Sequence, residues 1–195
     1  MTLGANFITA VELKRYMGLQ PDTYMEHVQD AVDSITGDII RWCHRDFNDA
    51  GAVTTRVYKP ILHSDDGPMI ITDDFSTVEN LIVESNGTTF NNSDLELLPL
   101  NGVMQGFTGW PYWQILGNFS IGQKVSVSAQ WGWAQVPKPV RQAAFLLGSD
   151  TFQLKDQRLG IAGSDQFGSI VTVKDSRAAQ SKLKPFRRDS ILVAG

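Results

Sequence analysis

The chain has 195 residues, 42% of them hydrophobic and 19% charged, with a net charge of −4. That length accommodates one domain, or one domain with a large insertion, and the acidic balance argues against nucleic-acid binding by the chain as a whole. The single cysteine, Cys43, excludes an internal disulfide and a cysteine-rich metal site, and no apolar run reaches the length of a membrane span.

The charged fraction lies below the roughly 25% typical of soluble domains, and uncharged polar residues make up the difference. Such a surface suits a protein held against other proteins. The opening residues lack the apolar core of a secretory signal, so the expected setting is a reducing cytoplasm or an assembly built there. The charge is unevenly spread. Lys174 to Gly195 holds six basic and two acidic residues, or +4, and leaves −8 on the rest. A basic tail on an acidic body reads as a docking arm.

In chain order, Thr9 and Glu12 have the spacing of a capping box and predict a helix from Ala10 to Met17, stopped by Gly18. Asp22 or Thr23 is expected to cap a second helix. Val28, Ala31, Val32, Ile35, Ile39 and Trp42 recur along it at helical spacing, and it should end near Arg45. From about Val53 to Gly132 the pattern is strand and turn. Thr54–Tyr58, Met69–Thr72, Val78–Glu84 and Asp94–Leu100 are strand candidates, and Asn86-Gly87 is a hairpin signal. The clearest strand ends at Trp131, with Val125, Val127, Ala129 and Trp131 on one face. Pro137 and Pro139 suit the start of a third helix. Val140, Ala143, Ala144, Leu147, Thr151 and Leu154 line one of its faces. Phe145, Leu146 and Phe152 lie elsewhere, so it is apolar nearly all round. A glycine-rich stretch, Arg158 to Ser169, leads to a short strand at Ile170–Val173 and a final helix or arm at Ser176–Phe186.

Candidate chemistry is sparse. Cys43 and His44 are adjacent, but neighbouring helical side chains diverge by about 100°, so a packing cysteine and a surface histidine is the better reading. His27 and His63 lack metal-ligand spacing. The acidic pairs Asp65-Asp66 and Asp73-Asp74 lack the alternating oxygen ligands of a calcium loop. No phosphate-binding or dinucleotide fingerprint occurs. Catalytic, metal and cofactor residues are therefore expected to be none. Trp110, Tyr112 and Trp113 surround Pro111 in a segment without Lys or Arg between Lys59 and Lys124. Aromatics so placed serve packing or subunit contact. The alternative is a monomeric carbohydrate-binding module that stacks sugars on Trp110, Tyr112 and Trp113.

The order of parts carries a resemblance. It runs from the capped helix TAVELKRYMGL, through a helix ending IIRWCHRDF and a β insertion opening TTRVY, to VSVSAQWGWAQVPKPVRQAAFLL, an LGIAG loop and KLKPFRR. This order resembles the head-tail connector (adaptor, or head-completion) family of long-tailed bacteriophages over almost the whole chain. Gly102 to Gly122 departs from the family's smaller insertion. The resemblance implies an α+β fold: a small helical bundle of three main helices and a short C-terminal one, with an inserted antiparallel β-sheet and an extended C-terminal arm. The divisions would be 1–52, 53–132, 133–157 and 158–195.

The resemblance further implies a structural, non-enzymatic virion protein of the neck, synthesised in the host cytoplasm. It would form a homo-oligomeric ring of about twelve copies beneath the portal protein, meet a stopper or other tail-side neck protein, and pass double-stranded DNA without sequence-specific binding. In that setting Gly160 and Gly163, with Ala162, form a hinge. Lys182, Lys184, Arg187 and Arg188 meet acidic surface on the portal or a neighbouring copy, with Phe186 as an apolar anchor. Trp131, Trp133, Trp110 and Trp113 serve sheet–helix or subunit packing.

Overall fold

The computed structural model describes residues 5–20, 24–63, 66–160, 173 and 176–188. Two compact units divide the chain. One is helical, drawn from Met1–Arg45 and Val136–Arg188, and the other is a β unit within Asp46–Gln135.

The helical unit begins with α1 (Ala10–Met17), where the capping box forms as its spacing predicts. The Thr9 side chain accepts from the Glu12 N–H, and the Glu12 carboxylate accepts from the Thr9 N–H at 2.8 Å. Gly18 ends the helix at φ 71°, a left-handed conformation that glycine adopts without a Cβ clash. Helix α2 (Met25–Cys43) buries Val28, Ala31, Val32, Ile35, Thr36, Ile39 and Cys43. The seam thus ends on Cys43, and Trp42 is only partly covered. The expected caps Asp22 and Thr23 lie outside the described residues.

Helix α3 (Lys138–Gly160) buries Val140, Ala143, Ala144, Leu147 and Phe152. Phe145, off that face, stacks on Tyr16 at 5.1 Å. A Cβ on Gly148 would meet Leu13 Cδ2 at 2.8 Å and Ile35 Cδ1 at 3.1 Å. Glycine there lets α1, α2 and α3 approach at one point. The Arg141 guanidinium donates to Glu12 at 2.6 Å and ties α3 to the cap of α1. Helix α4 (Arg177–Leu183), capped by Ser176, packs on α3 and runs into a 3-10 turn at Lys184–Phe186.

The β unit has ten strands: β1 (Asp49–Tyr58), β2 (Ile61–His63), β3 (Gly67–Phe75), β4 (Ile82–Ser85), β5 (Thr88–Phe90), β6 (Glu96–Leu98), β7 (Val103–Met104), β8 (Phe107–Thr108), β9 (Tyr112–Leu116) and β10 (Val125–Gly132). Eight form one antiparallel sheet in the order β5-β4-β10-β3-β9-β6, with β1 beside β10 and β2 beside β3. Strands β7 and β8 form a separate two-stranded ribbon. Asn86 and Gly87 turn β4 into β5 at φ 51° and 75°, as a two-residue hairpin turn requires.

The expected helical bundle with an inserted sheet is overturned: among the described residues the chain divides into a curled antiparallel β unit of its own and a unit of four helices. The reason lies in β10. One of its edges pairs with β1. Its other edge is shared, Val125–Ser128 with β4 and Trp131 with Phe75 of β3. A strand with two neighbours on one edge forces the sheet to bend around it. Ile70, Phe75 and Ile115 from one wing thereby join Val83, Val125, Val127 and Trp131 in a single core. The sheet closes on its own apolar face.

The short C-terminal helix expected within the arm is α4, and the extended course expected for the arm is corrected over residues 176–188, the other residues from 161 to 195 lying outside the described ones except Val173. Residues 176–188 are helix and turn, with Ala179, Leu183 and Phe186 buried in the helical unit. The expected strand at Ile170–Val173 lies outside the described residues except for Val173, which is buried.

Two outcomes follow for stability. Gly132 has φ 104°, and a Cβ there would lie 1.8 Å from the Asn48 carbonyl oxygen. Gly132→Ala should therefore cost about 3 kcal/mol or more, read as a lowered urea midpoint. Glu12 titrates below the ordinary carboxylate range, chiefly through the Thr9 N–H and then through Arg141, with burial opposing. A lowered folded-state pKa contributes stability that is present at neutral pH and lost as the pH falls through that pKa. Glu12→Gln should cost about 1 kcal/mol at neutral pH, and the difference should vanish as acid protonates the native carboxyl. Urea titrations of both proteins across the carboxylate range measure it.

Candidate interaction surfaces

Among the described residues, no group of three or more His, Cys, Asp or Glu is placed to hold a metal ion. No helix among them is long and apolar enough to cross a membrane. Cys43 is fully buried, and burial pushes its thiol up to about 12 against the opposing pull of Arg45 and Arg187. His44 is exposed at the left-handed end of α2. A protonated, enclosed thiol beside an outward imidazole has no nucleophilic role.

A basic surface gathers where the C-terminal segment meets the end of α2. The Arg188 N–H donates to the Cys43 carbonyl at 2.9 Å, and the Arg187 guanidinium lies 5.1 Å from the centre of the Trp42 ring. Arg41, whose side chain is 82% exposed and pairs with Asp38 at 3.3 Å, flanks the ring in sequence. Arg45 is buried. Lys184 and Arg187 are exposed, while Lys182 and Arg188 are half-buried. Phe186, expected as an outward anchor, is 8% exposed and packs within the helical unit. The structure thus gathers Arg187, Arg188 and Arg45 around Cys43 at the end of α2, and Arg45 is not among the residues expected in the site. The signal available was the RWCHR run itself. Gly160 belongs to α3, and Gly163 lies outside the described residues.

The tryptophans divide between two clusters in the β unit. Trp131 is 2% exposed, donates from Nε1 to the Thr54 carbonyl at 2.9 Å, and carries the Arg56 guanidinium 4.6 Å above its ring. Arg56 pairs with Asp73, which also accepts from the Tyr58 hydroxyl. Trp133 points elsewhere. Its Nε1 donates to Asp74 at 2.9 Å, and its ring lies 5.3 Å from Phe47 and 5.1 Å from Trp110. Gly132 separates the two environments and lets the Trp133 N–H reach the Asn48 carbonyl.

Trp110 is buried, and Tyr112 and Trp113 are half-buried on β9. Tyr112 packs on Phe75 at 5.6 Å. With Trp110 buried against Trp133 and Tyr112 packed on Phe75, two of the three rings are engaged within the β unit. The β7–β8 ribbon, by contrast, carries large apolar side chains into solvent, with Phe107 61% and Val103 44% exposed. Sequence reasoning left this ribbon as loop.

No family model matches the chain, and no curated protein matches it by sequence. Among solved structures it is similar in fold to a chain of the "Neck of empty GTA particle computed with C6 symmetry". The TM-score is 0.52 at 14% identity, and the match covers 100% of this chain and 96% of that one.

The Cys43 environment has a direct chemical consequence. With a thiol at about 12 against about 8.5 for a free cysteine, the native thiolate at pH 8 is scarcer by about a thousandfold. Iodoacetamide should leave the native protein unmodified on the timescale that labels the urea-unfolded chain, as mass spectrometry would record.

Proposed function

We propose that this chain is a structural protein of a phage-like neck, located in the virion at the head–tail interface, and that it acts by assembly rather than catalysis. The observation that carries this reading is the fold similarity, over the whole chain, to a chain of the neck of the empty GTA particle. The order of sequence features, from the capped first helix to KLKPFRR, points the same way.

In this reading the copies form a ring beneath the portal that prolongs the DNA channel toward the tail, where a stopper or other tail-side protein follows. The six-fold symmetry named for the neighbour accords with a ring of about twelve, since a twelve-fold ring contains six-fold symmetry. The net charge of −8 outside the basic tail suits a passage that does not hold DNA, because like charges repel. Lys184 and Arg187 meet acidic surface on the portal or the next copy. Lys182 and Arg188 support that contact. Phe186 holds the segment in place from within, and the hinge role is proposed for Gly160 and Gly163.

Two measurements test this. Negative-stain micrographs of the concentrated protein should show rings. Lys184→Glu combined with Arg187→Glu should abolish attachment to portal-bearing, tail-less heads while lowering the thermal melt by no more than about 4 °C, the loss of the Arg187–Trp42 contact, since both side chains are otherwise exposed. A protein that stays monomeric and never joins heads would sink the reading.

A further inference from the structure

The β unit exposes two apolar features that its own core leaves uncovered. The first is the β7–β8 ribbon. Its turn at Gln105-Gly106 has φ 51° and 81°, and its root is fixed by the Trp110 N–H donating to the Gly102 carbonyl at 2.9 Å. Gly102 is needed there, because a Cβ would meet the Trp110 carbonyl oxygen at 2.9 Å. Trp110 is itself buried against Trp133. The ribbon is thus a finger on a rigid base. Cross-strand partners share a face, so Phe107 lies beside Met104 on one face and Val103 beside Thr108 on the other. A two-stranded ribbon alone is marginally stable in water, and this one shows apolar side chains on both faces. From Leu97 to Gln123 the chain has no Asp, Glu, Lys or Arg, so nothing on the finger attracts a phosphate or an ion-pairing partner.

The second feature is the outer face of β1, β10 and β4. Register puts Thr55, Ser128 and Ile82 in one row across the three strands, with Val53 and Val57 two residues to either side of Thr55. Val53 is 43% exposed, Val57 57% and Ile82 46%. The polar groups on this face are already engaged. The Thr55 and Ser128 hydroxyls bond each other at 2.7 Å, Asp49 holds the Gln130 amide, and Glu84 accepts from Thr89. Arg56 lies over Trp131 on the opposite side of the sheet. Its apolar side chains sit among hydroxyl and amide groups that bond their neighbours, and its two carboxylates, Asp49 and Glu84, lie to either side of the Thr55–Ser128–Ile82 row. Among the described residues, the far edge of β1 has no strand partner.

We infer that these two features are the halves of one interface between copies: Phe107 and Met104 of one copy seat on Val53, Val57 and Ile82 of the next. The inference rests on the ring reading above and names its contact. A second copy fits because the finger carries no charge of its own, and the Gln130 amide and Thr89 hydroxyl that bond Asp49 and Glu84 stay in place when Val53, Val57 and Ile82 are covered. The halves are also different patches of one surface, so the contact is head-to-tail, the kind that closes into a ring rather than a two-fold dimer.

The test uses full-length chains carrying Val57→Cys or Phe107→Cys, with buried Cys43 as a silent background. Both variants are mixed at ring-forming concentration and treated with a short bismaleimide. The expected result is a cross-linked dimer in the mixture and none in either variant alone. Phe107→Asp should raise the concentration for half-assembly by at least about tenfold with an unchanged far-UV spectrum. Rings without the mixed product overturn the inference and leave the ring reading intact. A product between Phe107→Cys copies alone means tip-to-tip pairing and overturns it as well. Binding of wild-type protein to lipid vesicles that Phe107→Asp abolishes, with rings unaffected, assigns the finger to a membrane and also overturns it. Absence of rings from the wild-type protein overturns both.

Discussion

A strand has two edges, and β10 has three partners. That conflict organises the β unit. β1 takes one edge, while β4 and β3 divide the other between Val125–Ser128 and Trp131. The division works only if the chain changes direction at the end of β10, and Gly132 supplies the change. Its φ of 104° and its contact with the Asn48 carbonyl leave no room for a side chain. The two flanking tryptophans then face different environments, Trp131 toward the core and Trp133 toward Asp74, Phe47 and Trp110. The wings of the sheet, the Trp110 root and the finger above it all depend on that turn.

The helical unit has an equivalent point of closest approach at Gly148, where Leu13 and Ile35 already occupy the space a Cβ would need. Tight packing at one site gains dispersion contacts along the helices that meet there. The Glu12–Arg141 pair adds direction more than energy, since both side chains are partly exposed. It sets α3 against the capped end of α1.

Local chemistry was legible in the sequence where one short pattern decides the outcome. Thr9 and Glu12, the alternation from Val125 to Trp131, and Asn86-Gly87 are such patterns. The fold class was not legible, because long helical periods outweigh short strands when a sequence is read along its length. The curl depends on which strands share an edge of β10, partners separated by some fifty residues, and no local signal carries that. β2, β7 and β8 are two or three residues long, too short to show a period of two. β9 was hidden for another reason. The Trp110-Pro111 pair reads as loop, and the strand that follows is recognisable only from its partners β3 and β6. The C-terminal segment did carry its signal. Ala179, Leu183 and Phe186 are spaced four and three apart, a helical stripe, and the short C-terminal helix expected there is α4, while the basic residues between them suggested an extended arm as well.

The folding of that stripe changes what the basic residues can do. A free cationic arm loses backbone freedom when it docks, at a cost of about 1–2 kcal/mol per ordered residue. Residues 176–188 have already met that cost in packing Leu183 and Phe186 and in bonding Arg188 to the end of α2. Arg187 is held over Trp42, so its charge has a defined position relative to the end of α2. A charged surface arranged in this way selects a partner by geometry as well as by sign. A tether would capture any acidic surface within reach. Under the proposed docking, a packed turn would require the acidic groups of whatever docks there to match the spacing that α2 and the 3-10 turn set.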